Sequence, residues 1–295
     1  MTTSPELSVV IVNWNGGEEL LACLKSVYGA TTGINAEVWL VDNGSSDGSA
    51  ERAAAVYPYL RVIRNDGNLG FARAANQALA EAQADFMLLL NPDALLEREA
   101  LAAMLGVMRE DARVGIIGCP SVDEQGAWTP AYERSYPGRR GHPVRPSPAP
   151  SSAALEVAWV SGACLLARKA MVEQVGVLDE RFFMYYEDVD WCYRARKSRW
   201  KVVSILGEAI RHQRGGAARR VPPEETAGRV ITSRLRFFRK HYSRARAGWL
   251  TAGVLASNLA AWLLWLALSP FTAGARQARR PHAARLSAVL RSGKE

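Results

Sequence analysis

Short apolar runs punctuate the first 120 residues, within "SVVIVN" (8–13), "AEVWLVD" (36–42), "DFMLLLNPD" (85–93) and "VGIIGCP" (114–120), and "RVIRND" (61–66) reads as a further strand. Runs of this length without polar alternation predict strands covered on both faces, as in a parallel sheet. Between them the pattern turns helical. A turn at Asn15-Gly16-Gly17 leads into a helix through about Tyr28. Asp47 is positioned to N-cap a helix over Ala50 to Val56. "GFARAANQALAEAQ" and residues 97–110 supply two more helices. Alternating strands and helices predict a parallel α/β sheet joined by right-handed crossovers.

Residues 128–152 break the pattern. The stretch "WTPAYERSYPGRRGHPVRPSPAPSS" has no period and is rich in Pro, Ser and Arg, so it reads as a long loop. Beyond it, "VAWVSGACLLARKAMVEQVG" predicts a strand interrupted by the small residues Ser161-Gly162-Ala163, then a helix. "FFMYYEDVDWCYRARKS", a strand "WKVVSIL" and "EAIRHQRGG" follow, with no internal repeat.

Composition changes the picture mainly at the C-terminus. The net charge of +8 over 295 residues hints at nucleic acid, but its distribution argues otherwise. Residues 1–228 carry 24 basic against 28 acidic side chains, a net of −4, while 229–295 carry 13 against one, a net of +12. Without a basic stripe in the main domain, nucleic-acid binding is not expected there. The chain therefore divides into a domain over 1–228 and a basic, helical C-terminal region over 229–295. The four cysteines (Cys23, Cys119, Cys164, Cys192) show no metal-ligand spacing and are expected to be buried free thiols in a reducing compartment. No charged n-region followed by an apolar h-region opens the chain, so no signal peptide is expected.

The chemistry gathers at strand ends, where ligands bind open α/β sheets. Three predicted strands finish on polar residues: Asn13, Asp42 and the Asn91/Asp93 pair. Asp42, in "LVDNGSSDGS", is either a turn residue or a carboxylate accepting from a base or ribose. Pro92 restricts its own φ and biases Asn91 toward extended backbone, which displays both Asn91 and Asp93. A divalent cation on a diphosphate needs only one or two protein ligands, so a single Asp there suffices. "YYEDVDW" crowds Glu187, Asp188 and Asp190 into four positions. Acids in a first helical turn complement the helix dipole, but aromatic surroundings also raise a carboxylate's pKa toward that of a general base. His212 is a structural histidine or a second metal ligand, better suited to Mn²⁺ than Mg²⁺. The chain lacks GxGxxG after the first strand and GxxxxGK[ST], so dinucleotide and P-loop chemistry have no sequence support.

Five ordered blocks carry a family resemblance: "SVVIVNWNGGEELLACLKSV", "VWLVDNGSSDGS", "NDGNLGFARAANQAL", "FMLLLNPDALL" and "GACLLARKAMVEQVGVLDERFFMYYEDVDWCYRARKSRWKV", with a trailing "IRHQRGG". Together, over roughly residues 7–215, they resemble the inverting family-2 glycosyltransferases of the GT-A (nucleotide-diphospho-sugar transferase) fold, in the bacterial rhamnosyltransferase-like branch. The resemblance implies a mostly parallel central sheet flanked by helices. It implies that Asp42 holds the nucleotide, with the backbone around Val12 and the ring of Trp14 flanking the base and Asn68 on the loop facing the diphosphate. Asp93 matches the last acid of the metal motif and His212 the histidine ligand of Mg²⁺ or Mn²⁺. Asp188 matches the catalytic base, with Glu187 beside it toward acceptor or sugar. Asn91 stands where many relatives carry a first aspartate, which leaves the metal site one formal charge poorer. The implied reaction moves a sugar, rhamnose from dTDP-rhamnose, to a lipid-linked or growing cell-envelope glycan. Two alternatives are a nucleotidyltransferase, whose Gly-rich basic loop is missing from "NWNGGEELL", and an inactive membrane scaffold of the same fold.

The C-terminal region bears on location. Ala247 to Ala275 contains no charged residue, and Trp249 to Leu268 is long enough to span a bilayer core. Seven Lys or Arg lie between Arg229 and Arg246, and six between Arg276 and Lys294. Basic flanks on both sides favour one face of the membrane for each. This pattern predicts contact with the membrane surface through 247–275 and the flanking arginines, by an interfacial helix or a re-entrant hairpin. The expected location is the cytoplasmic face of the inner (plasma) membrane.

Overall fold

The structure, a computed structural model, describes residues 4–123, 125–138, 154–212, 221–268 and 273–292. The chain separates into two compact units, Met1–Arg181 with Glu187–Ala217, and Phe182–Tyr186 with Ala218–Glu295.

The first unit opens with β1 (Leu7–Asn13), α1 (Gly17–Ala30), β2 (Ala36–Asp42), α2 (Ser49–Val56) and β3 (Arg61–Arg64). It continues through α3 (Phe71–Glu81), β4 (Phe86–Leu90), a two-residue β5 (Ala94–Leu95), α4 (Arg98–Glu110) and β6 (Val114–Gly118). Short strands β7 (Ser121–Val122), β8 (Trp128–Thr129), β9 (Tyr132–Glu133), β10 (Ala154–Glu156) and β11 (Trp159–Val160) come next. The unit closes with β12 (Cys164–Arg168), α5 (Lys169–Val175), α6 (Glu187–Lys197), β13 (Lys201–Ile205) and β14 (Ile210–His212).

Eight strands form the main sheet in the order β10-β13-β6-β12-β4-β1-β2-β3. The β1–β2, β1–β4, β2–β3 and β6–β13 pairings are parallel, as the periodicity predicts. The sheet is mostly parallel, as the family resemblance implies, with two antiparallel strands. β12 runs antiparallel between β4 and β6, and β10 is antiparallel to β13. Pairing direction is decided by the path of the long connection that precedes a strand, which apolar runs do not encode.

All seven residues of β1 are buried, because the sheet is covered on both faces. Strand alternation sends Val9 and Ile11 toward Leu20 and Leu24 of α1 and Leu101 and Leu105 of α4. Val10 and Val12 point the other way, toward the alanines of α3 and Trp191 of α6. The four cysteines are buried free thiols, and burial pushes those of Cys23 and Cys192 well up.

Helix α2 begins differently from expectation. Gly48, at φ +71, holds the N-cap, while Asp47 accepts from the Ser49 N–H (3.0 Å) and from the Gly17 N–H (2.8 Å). Asp47 thus ties the starts of α1 and α2 together instead of capping one of them.

The second unit contains helices Pro223–His241, Arg244–Leu268 and Ala273–Ser292. The first of these starts on Pro223 and two glutamates and ends on Arg239, Lys240 and His241, complementing its dipole at both ends. Its buried Leu235, Phe237 and Phe238 form the interior, and Ser233 donates to the carbonyl of Met184 at 2.9 Å. Arg244–Leu268 is the one helix among the described residues long and apolar enough to cross a membrane.

Candidate active site

Parallel pairing aligns the carboxyl ends of β1, β2 and β4. Asn13 stands beside Asp42, and Ile11 beside Leu90, one residue short of Asn91. Three separate strand ends therefore meet at one edge. Asn13, buried, donates through Nδ2 to Asp42 (3.2 Å), Ser45 (3.0 Å) and Ser49 (2.9 Å). Asp42 is itself buried, with its carboxylate facing this amide. Val12, paired with Val41, lies in the core beneath, and Trp14 follows, half-buried, in the bend after β1.

The loop after β2 rests against the loop after β3. Gly44 has φ +78, and a Cβ there would fall 2.6 Å from the Cα of Gly67, so only glycine lets the two backbones touch. Asn43 clamps the contact. Its amide donates to Asn68 Oδ1 (3.0 Å) and the Gly70 carbonyl (3.3 Å), while its oxygen accepts from Asn65 (3.1 Å) and the Leu69 N–H (3.0 Å). Asn68 also accepts from the Gly70 N–H at 3.0 Å, so its side-chain oxygen orders its own loop.

At the tip of β4 the Asn91 N–H donates to the Ala163 carbonyl (3.0 Å), prolonging the β4–β12 pairing past its last rung. The chain then turns through Pro92 and Asp93 into β5, which pairs antiparallel with β14 so that Ala94 lies opposite His212. That pairing brings His212 Nε2 to 3.1 Å from Asp93 Oδ1, although 119 residues separate them. Two ligands at about 2.1 Å on adjacent coordination positions of a divalent ion stand about 3 Å apart. The oxygen–nitrogen separation and the donor chemistry of this pair therefore fit a cation held from one side. No cluster of three or more ligating side chains occurs among the described residues, so the protein would supply two donors and leave the remaining positions open. The Gly-Gly turn expected after His212 lies outside the described residues.

The fourth component is the start of α6. Asp188 accepts from the Gly162 N–H at 2.9 Å and from the Val189 N–H at 2.7 Å. Gly162 adjoins Ala163, which bonds Asn91, so one short run of backbone carries Asp188 to the end of β4. A Cβ on Gly162 would approach Asp188 Oδ2 at 3.6 Å, which is tolerable contact but narrows the space beside the carboxylate. Two consecutive tyrosines, Tyr185 (φ 68) and Tyr186 (φ 71), occupy the left-handed region immediately before the helix. Such backbone is uncommon for bulky residues and costs about 1–2 kcal/mol each. The chain then enters a first helical turn in which Glu187 is buried and Asp188 half-buried.

Burial raises the pKa of Asp188, against the pull of its two backbone donors. Burial, and then the charge of Asp188, raise Glu187 well above the ordinary carboxylate range. Glu187 Oε2 is buried and has no hydrogen-bond partner among the described residues. The pair therefore offers one carboxylate fixed by backbone and one acid oxygen with an unfilled valence. Asp42, Asn91, Asp93, His212, Glu187 and Asp188 thus belong to a connected region of the first unit, joined by strand register and hydrogen bonds. Asn43 and the Gly162 N–H, which orient this region, escaped sequence reasoning. The small-residue break around Gly162 was the only trace of the latter.

Solved structures with this architecture define the class. A mannosyltransferase from Pyrobaculum calidifontis, solved with GDP-Man and Mn²⁺, matches with a TM-score of 0.59 at 17% identity, covering 100% of this chain and 89% of that one. S. aureus TarS 1–349 with UDP matches at 0.55 and 15% identity, covering 98% and 92%. The fold is GT-A. Residues 8–176 match the model of Glycosyl transferase family 2, and the chain belongs to that family. A Mycobacterium tuberculosis relative, N-acetylglucosaminyl-diphospho-decaprenol L-rhamnosyltransferase, is 28% identical over 291 residues, covering 85% of this chain and 90% of its own length. The Haloferax volcanii low-salt glycan biosynthesis hexosyltransferase Agl10 is 29% identical over 217 residues, covering 66% and 63%.

Proposed function

We propose that this glycosyltransferase inverts configuration as it moves rhamnose from dTDP-rhamnose to a lipid-linked or growing cell-envelope glycan, at the cytoplasmic face of the plasma membrane. The observation that carries the reading is the convergence just described: a carboxylate held by the Gly162 and Val189 N–H groups, next to the Ala163 carbonyl that bonds Asn91 at the end of β4, two residues before Asp93 and its contact with His212 of β14. The donor and acceptor are supported by the mycobacterial relative, whose name specifies rhamnose and a diphospho-decaprenol saccharide.

In this reading Asp42, beside Asn13, holds the nucleotide, with the backbone around Val12 and the ring of Trp14 flanking the base. The loop carrying Asn68, braced by Asn43, and the end of β4 at Asn91 face the diphosphate. Asp93 and His212 hold Mg²⁺ or Mn²⁺, which when bound neutralises diphosphate charge and improves the leaving group. Asp188 takes the proton of an acceptor hydroxyl as that oxygen attacks the anomeric carbon from the face opposite the diphosphate. The two N–H bonds orient its carboxylate before substrate arrives, and its raised pKa brings its basicity closer to the task. Glu187, with its unfilled Oε2, binds a hydroxyl of acceptor or sugar. A single displacement inverts the anomeric centre with no covalent enzyme intermediate. The C-terminal region keeps the enzyme at the membrane, where a lipid-linked acceptor resides.

The test is transfer by the full-length protein to a polyprenyl-diphospho-saccharide, with a panel of nucleotide sugars and with Mg²⁺, Mn²⁺ or chelator. Rhamnosylated product of inverted anomeric configuration, lost with chelator, is expected. Turnover of a different nucleotide sugar, or retention of configuration, would overturn the donor or the mechanism respectively.

A further inference from the structure

The apolar helix Arg244–Leu268 has two unlike faces. Ala247, Val254 and Asn258 are buried, following helical spacing, whereas Trp249 (81% exposed), Ala256, Leu259, Leu263 and Leu264 point outward. Its hydroxyl and amide side chains are satisfied within the helix. Thr251 donates to the Ala247 carbonyl (2.8 Å), and Ser257 (3.0 Å) and Asn258 (2.8 Å) donate to that of Val254. A helix side that meets hydrocarbon must leave few polar groups unpaired, and this one meets that condition.

The following helix, Ala273–Ser292, returns alongside. Its His282 Nδ1 lies 3.3 Å from Asn258 Oδ1, at the middle of the apolar helix. Two residues on, the Ala284 carbonyl lies 3.9 Å from where a Cβ on Gly228 would sit, so the returning helix also packs on Pro223–His241. Burial, and then neighbouring Arg285, lower the His282 pKa, which leaves the histidine–asparagine contact neutral at neutral pH.

These contacts fix depth. Were Trp249 to Leu268 to stand across a bilayer of about 30 Å, Asn258 would lie at the midplane. His282 would lie there with it, with exposed Arg280 and half-buried Arg285 within about 5 Å along the axis. Each arginine at that depth is strongly disfavoured. Laid along the interface, the same helices put the leucine and tryptophan face into the acyl boundary. Arg244 and Arg246 before the buried Ala247, and Arg280 and Arg285 on the returning helix, then remain at headgroup level on one side.

We infer that the C-terminal unit is a monotopic hairpin on an anionic lipid surface, with both ends of the apolar helix on the same side of the membrane. This rests on the reading that the chain works at a membrane, and it adds topology and lipid charge to it.

Since the four native cysteines are buried, single reporters at exposed positions, Ala245→Cys in the first turn of the apolar helix and Leu290→Cys near the end of the returning helix, report sidedness in the full-length protein. Both are treated with an impermeant maleimide in spheroplasts and in inverted vesicles, and flotation is measured on phosphatidylcholine liposomes with and without 30% phosphatidylglycerol. Labelling of both sites in inverted vesicles only, with at least tenfold better flotation on the anionic liposomes, is the expected result. Labelling from opposite sides would overturn the hairpin while leaving membrane attachment intact. Equal flotation on both liposomes would overturn the anionic-surface assignment. Failure to float at all would overturn the membrane reading beneath it, and transfer to a detergent-solubilised acceptor would still report on the glycosyltransferase separately.

Discussion

Replacing Asp188 by Asn is the sharpest perturbation of the proposed chemistry. The carboxylate accepts two backbone N–H bonds, at 2.9 and 2.7 Å, from Gly162 and Val189. A carboxamide offers an oxygen to only one of them and turns an NH₂ group toward the other. The lost bond to a charged acceptor costs about 1.5–3 kcal/mol. Removing a half-buried charge, whose desolvation raises the pKa of Asp188, offsets part of that. A net loss of about 1–2 kcal/mol is small against a typical stability of 5–15 kcal/mol, so the variant folds, with a Tm lower by a few degrees. Loss of a general base slows transfer by about 10²–10⁴-fold, or about 3–5 kcal/mol of barrier. The assay is single-turnover transfer at saturating donor, with donor affinity measured by calorimetry. In the wild type the rate rises with pH as Asp188 loses its proton, on a limb displaced above the ordinary carboxylate range by burial. That limb vanishes in Asp188→Asn, while donor affinity changes by less than threefold. Turnover within tenfold of wild type with the acid limb intact would refute the assignment. Loss of donor binding in step with turnover would make the residue a structural prop.

Three further outcomes are expected. Glu187 has its folded-state pKa raised by burial and by Asp188, so its contribution to stability is fully present below the unfolded-state value of about 4.3 and is lost as pH rises through the folded pKa. Glu187→Gln should therefore match wild type near pH 4 and melt higher at pH 8, and equal Tm values at pH 8 would contradict the buried-charge argument. Asp93→Ala and His212→Ala should each weaken Mn²⁺ binding in the presence of nucleotide diphosphate by at least tenfold, about 1.4 kcal/mol, by calorimetry; unaltered affinity would remove the pair from the metal. Gly44→Ala forces a side chain into φ +78 and against the Gly67 backbone at 2.6 Å, so it should lower urea stability by about 2 kcal/mol or more. An unchanged unfolding midpoint would show that the two loops are not packed as described.

Much of this protein is legible without coordinates. Each strand of the main sheet other than β10 and the edge strand β3 coincides with a largely apolar run, because burial on both faces demands hydrophobicity over about five residues. The polar residues that end those runs, Asn13, Asp42 and Asn91, lie at one edge because parallel register aligns strand ends. Local pattern and chain direction suffice for that much. Other features depend on pairings between distant segments, for which no local period exists. The antiparallel insertion of β12 brings Gly162 to Asp188 across 26 residues. The two-residue pairing of β5 with β14 brings His212 to Asp93 across 119. Asn43, read locally as part of a turn, becomes a clamp only when the β3–α3 loop folds against it. Sequence by itself determined which side chains reach the edge of the sheet; tertiary structure alone decided which of them touch. Burial is written into every residue's chemistry, whereas register between remote strands is settled only when the whole core closes.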